Sequence, residues 1–138
     1  RIFGFVNICD ELTEVVLHAP PGADLTPVFR DTARMTRWHR NSDYGSTLAH
    51  FVEHHLDAIG NRTSVLILGD ARTNNTDPRA DALEEIVARA KHVDWLNPEA
   101  PSQWGTGDSV APLYARHVDM HECANAVQLR QFIDRLTL

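Results

Sequence analysis

The chain has 138 residues, enough for one domain with a buried core and too few for two. Its 43% hydrophobic and 23% charged content is that of an ordinary globular protein, and no apolar run approaches the roughly 18 residues that a membrane helix needs. A formal charge of −6, from 19 acidic and 13 basic residues, argues against a nucleic-acid surface.

Ile2-Phe3-Gly4-Phe5-Val6 reads as a short strand. Asn7 to Thr13 are turn-like, and Glu14-Val15-Val16-Leu17-His18 looks like an antiparallel partner for the first strand. Leu25 to Met35 suits a helix capped by Asp24 or Thr26, with Pro27 near its start. Arg30, Arg34, Arg37 and Arg40 gather there, and a solvated helix face explains them better than a phosphate site. A helix from about Tyr44 to Ile59 places Leu48, Phe51, Val52, Leu56 and Ile59 on one face, and Gly60-Asn61 stops it.

Val65-Leu66-Ile67-Leu68 then reads as a strand buried on both faces, as in a parallel sheet. It ends at Gly69-Asp70, which sets a carboxylate at the carboxyl edge of the sheet, where open α/β folds place ligands. Asp77-Pro78 suggests a cap and first turn for a helix over about Pro78 to Lys91, with Leu83, Ile86, Val87 and Ala90 inward. His92 to Leu96 is a strand, Glu99 to Ser109 a long loop, Ser109 to Ala115 a short helix, and His117 to Cys123 a strand. The last helix turns Val127, Leu129, Phe132, Ile133 and Leu136 inward. After the opening hairpin, helices and strands alternate, which means a mostly parallel sheet with helices on both faces.

Three groups carry possible chemistry. Ser42 and Asp70 both fall in loops at the carboxyl edge of the sheet, and their oxygens suit a hard cation such as Mg2+. The bland alternatives are an N-cap at Ser42 or Asp43 and a turn cap at Asp70. His50-Phe51-Val52-Glu53-His54 matches the H-x-x-E-H pattern of a zinc hydrolase, with Glu122 imaginable as a third ligand; a solvated His-rich helix face is the commoner cause. Trp104-Gly105-Thr106-Gly107-Asp108-Ser109 is not a nucleotide loop, because its glycines miss the G-x-G-x-x-G spacing and no strand leads into it. Cys9 and Cys123 lie far apart in apolar segments and read as buried thiols of a reducing compartment, not a disulfide. No catalytic constellation stands out.

Four segments occur in a telling order: Val65 to Asp70, Asp77-Pro78 with the helix after it, Trp95-Leu96-Asn97-Pro98, and Trp104-Gly105-Thr106-Gly107-Asp108-Ser109. Together they resemble the CoxE-like branch of von Willebrand factor A (VWA) domains, well from Ser42 onward and loosely in the opening hairpin. The resemblance implies a three-layer Rossmann-like fold, mostly parallel with an antiparallel edge strand. It also implies a metal-ion-dependent adhesion site (MIDAS), in which Asp70 supplies the carboxylate after a central strand and Ser42 the hydroxyl of an earlier loop. Thr47 and Ser46 are less well placed alternatives for that hydroxyl.

The site's first element, an Asp-x-Ser-x-Ser loop, occurs nowhere in the chain. The strand carrying it belongs between the Ile2–Val6 and Val65–Leu68 strands, so residues 1–138 are expected to form a single VWA-like domain that is incomplete at its N-terminus and lacks the first central strand. The resemblance further implies a cytoplasmic, non-enzymatic accessory or maturation factor. Its protein partners would be a MoxR-type AAA+ ATPase and a metalloenzyme client.

Overall fold

The computed structural model describes residues 1–28 and 41–136. The expected helix over Leu25 to Met35 lies mostly outside them, as do Trp38 and the four arginines from Arg30 to Arg40. Within the described part, Asp24 Oδ1 accepts the Thr26 N–H at 3.0 Å, the cap expected there.

Strands β1 (Phe3–Phe5) and β2 (Cys9–Glu11) form an antiparallel hairpin. The second strand was expected over Glu14 to His18, and this is corrected. Residues Thr13–Leu17 form a short helix, α1. The β-branched pair Val15-Val16 misleads, because strand pairing closes earlier: Phe3 pairs with Glu11 and Phe5 with Cys9. The Arg1 guanidinium clamps the Glu11 carboxylate at 2.7 Å and holds it well below the usual carboxylate range, at about 2. Buried Leu12 then turns the chain into α1.

Helix α2 (Tyr44–His55) continues as a 3-10 turn over Leu56–Ala58. Asp43 caps it, accepting the Ser46 N–H at 3.0 Å. The main sheet is parallel, in the order β3 (Ser64–Leu68), β4 (His92–Asn97), β5 (Asp119–Glu122). Helix α3 (Ala80–Arg89) links β3 to β4, and α4 (Ala111–Tyr114) precedes β5. Helix α5 (Ala126–Leu136) follows β5. Helix α3 starts two residues after Pro78, because Asp77 Oδ1 accepts the Arg79 N–H at 2.9 Å and Arg79 takes a left-handed backbone at φ 47°. Alternating strands and helices with parallel strand pairing are the α/β architecture expected.

One face of the sheet makes the core. Val65, Ile67, Val93, Trp95 and Met120 pack with Tyr44 and Leu48 of α2 and with Leu83 and Ile86 of α3. An aromatic row crosses this core: Phe5 to Tyr44 at 5.4 Å, Tyr44 to Trp95 at 5.5 Å, and Trp95 stacked on Tyr114 at 5.0 Å between centroids. It ties the hairpin, α2, the sheet and α4 together.

The opposite face is only partly covered. The expectation that β3 is buried on both faces is corrected: its residues alternate, with Leu66 exposed and Leu68 59% exposed. Helix α5 lies on this side, where Phe132 meets His121 at 5.2 Å. The expectation of five inward residues on α5 is corrected too. Phe132 is 3% exposed, but Val127 is 66% exposed, and Leu129, Ile133 and Leu136 also face outward. Among the described residues, no strand pairs with the free edge of β3, and the hairpin is a separate sheet.

This asymmetry sets a stability contrast. Leu83→Ala opens a cavity between α3 and the sheet and should cost about 2–5 kcal/mol, whereas Leu68→Ala should cost below about 1 kcal/mol. Urea unfolding of both variants checks it; equal losses would mean that the β3 outer face is covered in solution.

Candidate functional site

The carboxyl edge of the sheet is built around Gly69 and Asp70. The Tyr44 hydroxyl, at the first turn of α2, accepts the Asp70 N–H at 2.9 Å and donates to Asp70 Oδ1 at 3.1 Å. Oδ1 also accepts the Arg72 N–H at 2.9 Å, which leaves Oδ2 out of these bonds. Tyr44 is buried, and burial beside the Asp70 charge raises its phenol far above the ordinary value, so it stays protonated. Gly69 makes the contact possible, since a Cβ there would run into the Tyr44 hydroxyl. The Gly69 carbonyl accepts the Trp95 indole N–H at 2.7 Å, and the Asp70 carbonyl accepts the Asn97 amide at 3.2 Å.

The next turn is strained. Ala71, fully buried, has φ 58°, and Asn74 and Asn75 have φ 52° and 61°. Non-glycine residues hold such angles only where surroundings impose them. Here the 99–109 loop does so. Arg72 forks onto Glu99, with Nε to Oε1 at 2.7 Å and NH2 to Oε2 at 3.0 Å, and its NH1 reaches Asp108 Oδ1 at 2.9 Å. Asp108 Oδ2 accepts the Asn74 N–H at 2.8 Å. The Arg72 hydrogen bond holds the Asp108 carboxyl below its ordinary value. The Trp104 indole donates to the Glu99 carbonyl at 3.0 Å, and Ser109 Oγ accepts the Gly105 N–H at 3.1 Å. The Trp104–Ser109 motif is therefore a structural lock on the loop after Asp70.

Ser42 lies in the adjoining loop. Its carbonyl accepts the Asn74 amide at 2.8 Å, and Tyr44, two residues on, holds Asp70. Asp43, not Ser42, is the N-cap. Ser46 Oγ is engaged with Asp43 Oδ2 at 2.8 Å, and Thr47 is buried at 3.4 Å from the Val6 carbonyl, so neither alternative hydroxyl is open. Gly45 lets α2 pass the Asp77 carbonyl, which a Cβ would strike.

The H-x-x-E-H segment is arranged differently. The His50 and His54 rings lie 4.4 Å apart, but His50 Nδ1 accepts the Cys9 N–H at 3.2 Å, and Glu53 pairs with His54 at 3.5 Å. Among the described residues, the tight cluster of metal-ligating atoms is elsewhere, on His92, Asp94 and Asp119. Cys9 and Cys123 are free thiols. Cys9 is buried, and burial pushes its thiol up to about 12; Cys123 is half-buried.

Residues 1–132 match the family model described as "VWA domain containing CoxE-like protein". The chain belongs to the CoxE-like VWA family. No curated protein and no solved structure matches it. VWA domains mediate protein interactions and commonly bind a divalent metal. Among the described residues, no helix of this VWA domain is long and apolar enough to cross a membrane. Sequence reasoning missed Tyr44, Arg72, Glu99, Asn97 and Asp108 as the scaffold of Asp70. The Trp-Leu-Asn-Pro and Trp-Gly-Thr-Gly-Asp-Ser segments carried that signal only as a family likeness.

Two outcomes test the scaffold. Tyr44→Phe strips a partner from both the Asp70 N–H and its carboxylate and should cost about 1–3 kcal/mol in urea unfolding; a loss below about 0.5 kcal/mol would remove the hydroxyl from this role. Asp108 has a depressed carboxyl, so its contribution is present above the unfolded value near about 3.9 and is lost as pH falls through the folded one. Arg72→Gln should therefore lower stability at neutral pH, and the gap to wild type should narrow below about pH 4. A pH-independent gap would assign the loss to packing.

Proposed function

We propose that this VWA domain binds a protein partner through a magnesium ion, with Asp70 and Ser42 supplying two of its oxygen ligands. The observation that carries the reading is the held Asp70 carboxylate. One oxygen is fixed by Tyr44 and Arg72, the other lies outside those bonds, and the Ser42 loop is tied to the same turn through Asn74. An all-oxygen donor set fits magnesium in kind. It falls short in number, since magnesium takes six ligands and the chain lacks the Asp-x-Ser-x-Ser loop.

The edge of β3, unpaired among the described residues, and the exposed Leu66 and Leu68 support the rest of the reading. A further strand, carrying that loop, pairs with β3 and joins it to the hairpin. Such a strand completes the domain and brings its hydroxyl and carboxylate ligands beside Asp70. Carboxylate capture at the metal needs no nucleophile, so the domain acts as a binding factor, not an enzyme. By family, we assign as partners a cytoplasmic MoxR-type AAA+ ATPase and a metalloenzyme client.

The test is capture of the MoxR-type ATPase by the full-length protein, in magnesium and in chelator. Binding should fall at least about tenfold in chelator and in Asp70→Ala, a loss of about 1.4 kcal/mol or more. Binding unchanged by chelator would replace this reading with that of a metal-independent scaffold.

A further inference from the structure

A second cluster sits at the opposite end of the sheet. Cα partners in register are Ser64 with His92, and Asp94 with Asp119. Asp70 lies six residues beyond Ser64 along the β3 direction, about 20 Å away at the usual strand rise. His92, Asp94, Asp119 and His121 share one sheet face, because side chains of alternate residues point the same way and the two strands run in register. His92 Nε2 lies 3.2 Å from Asp94 Oδ2 and 3.2 Å from Asp119 Oδ2. His121 Nε2 holds the other Asp94 oxygen, Oδ1, at 2.8 Å. The Asp94 side chain is only 9% exposed, whereas those of His92 and Asp119 stand at the surface.

We propose that His92, Asp94 and Asp119 bind a zinc-class divalent transition ion that clamps β4 to β5. Three features of the geometry support it. Ligands about 2.0–2.2 Å from a tetrahedral ion stand about 3.3–3.6 Å apart, and the imidazole nitrogen already lies close to that distance from both carboxylate oxygens. A mixed imidazole and carboxylate set selects zinc over magnesium or calcium, which prefer oxygen alone. The buried Asp94 carboxylate is oriented from behind by His121, whose ring is in turn packed on Phe132. Solvent would fill the fourth position. His92 also stands two residues before β4 first pairs with β5, so the ion extends the join between the strands beyond their last ladder bond. This site is independent of the Asp70 reading.

The competing explanation is a set of ion pairs made by protonated histidines, which needs no metal. Zinc chloride titration of the full chain, with metal content after gel filtration, separates the two. The expected result is one zinc per chain and a raised Tm. Cobalt(II) should give the intense visible bands of a four-coordinate ion. His92→Ala and Asp119→Asn alter surface side chains, so both variants should fold and each should weaken binding at least about tenfold. His121→Gln should weaken it less and shift the cobalt spectrum, the mark of a positioning residue. Asp70→Ala and His54→Ala should leave binding unchanged. Less than half an equivalent of zinc, or binding that survives His92→Ala, would overturn the proposal. Loss in His54→Ala would do so too, by placing the ion on the α2 histidines.

Discussion

The edge of this sheet depends on one hydroxyl. Tyr44 reaches from the first turn of α2 to the end of β3, where it accepts the Asp70 N–H and donates to the Asp70 carboxylate. That pair of hydrogen bonds fixes the Asp70 backbone and side chain at once. It requires glycine at position 69, because any Cβ would occupy the hydroxyl's place. It also requires a strand β4 whose Trp95 and Asn97 hold the carbonyls of Gly69 and Asp70 from the other side. A buried polar group is costly unless partnered, and here each of these groups finds its partner in the network. The same Tyr44 ring stands in the aromatic row from Phe5 to Tyr114, so core packing and site geometry share a residue.

The loop after Asp70 needs a second support, since Ala71, Asn74 and Asn75 are all left-handed. Arg72 and Asp108 supply it. A planar guanidinium joined through two nitrogens to Glu99 and through the third to Asp108 has little freedom, which makes it a better brace than an exposed single ion pair. The strain is therefore held by a distant loop, 27 to 36 residues downstream, together with the local bond from the Arg72 N–H to Asp70 Oδ1. This explains why the Trp104–Ser109 segment looks motif-like while forming no ligand cradle of its own.

Much of this was legible in the residues. Alternating strand and helix patterns gave the parallel sheet, and Gly69-Asp70 after an apolar run marked its carboxyl edge. Ser42 and Asp70 were legible as oxygen donors in edge loops and gained their paired role from likeness to a family; in the fold the Ser42 carbonyl accepts the Asn74 amide and Asp70 Oδ1 the Arg72 N–H. What escaped was whatever depends on partners distant in sequence. The run Val65 to Leu68 looks the same whether one face is covered or two, because periodicity reports the strand's own residues and not its neighbours. The apolar side chains of α5 posed the same difficulty. Val15-Val16 has strand propensity, but propensity is weak beside the pairing of Phe3 with Glu11. His92, Asp94 and Asp119 could not be grouped from spacing, since two lie on β4 and one on β5 and only the register of those strands unites them.

The exposed apolar surface bears on the same question. Leu66 and Leu68 on β3 and the outward residues of α5 flank one side of the sheet, and the edge of β3, unpaired among the described residues, adjoins them. Parallel sheets are normally covered on both faces, and an open apolar edge strand invites pairing with another chain. A strand paired there would satisfy the edge, and a crossover helix packed on this face would cover Leu66 and Leu68. At the end of β3 the Tyr44 brace keeps Asp70 in place, through the two hydrogen bonds of its hydroxyl.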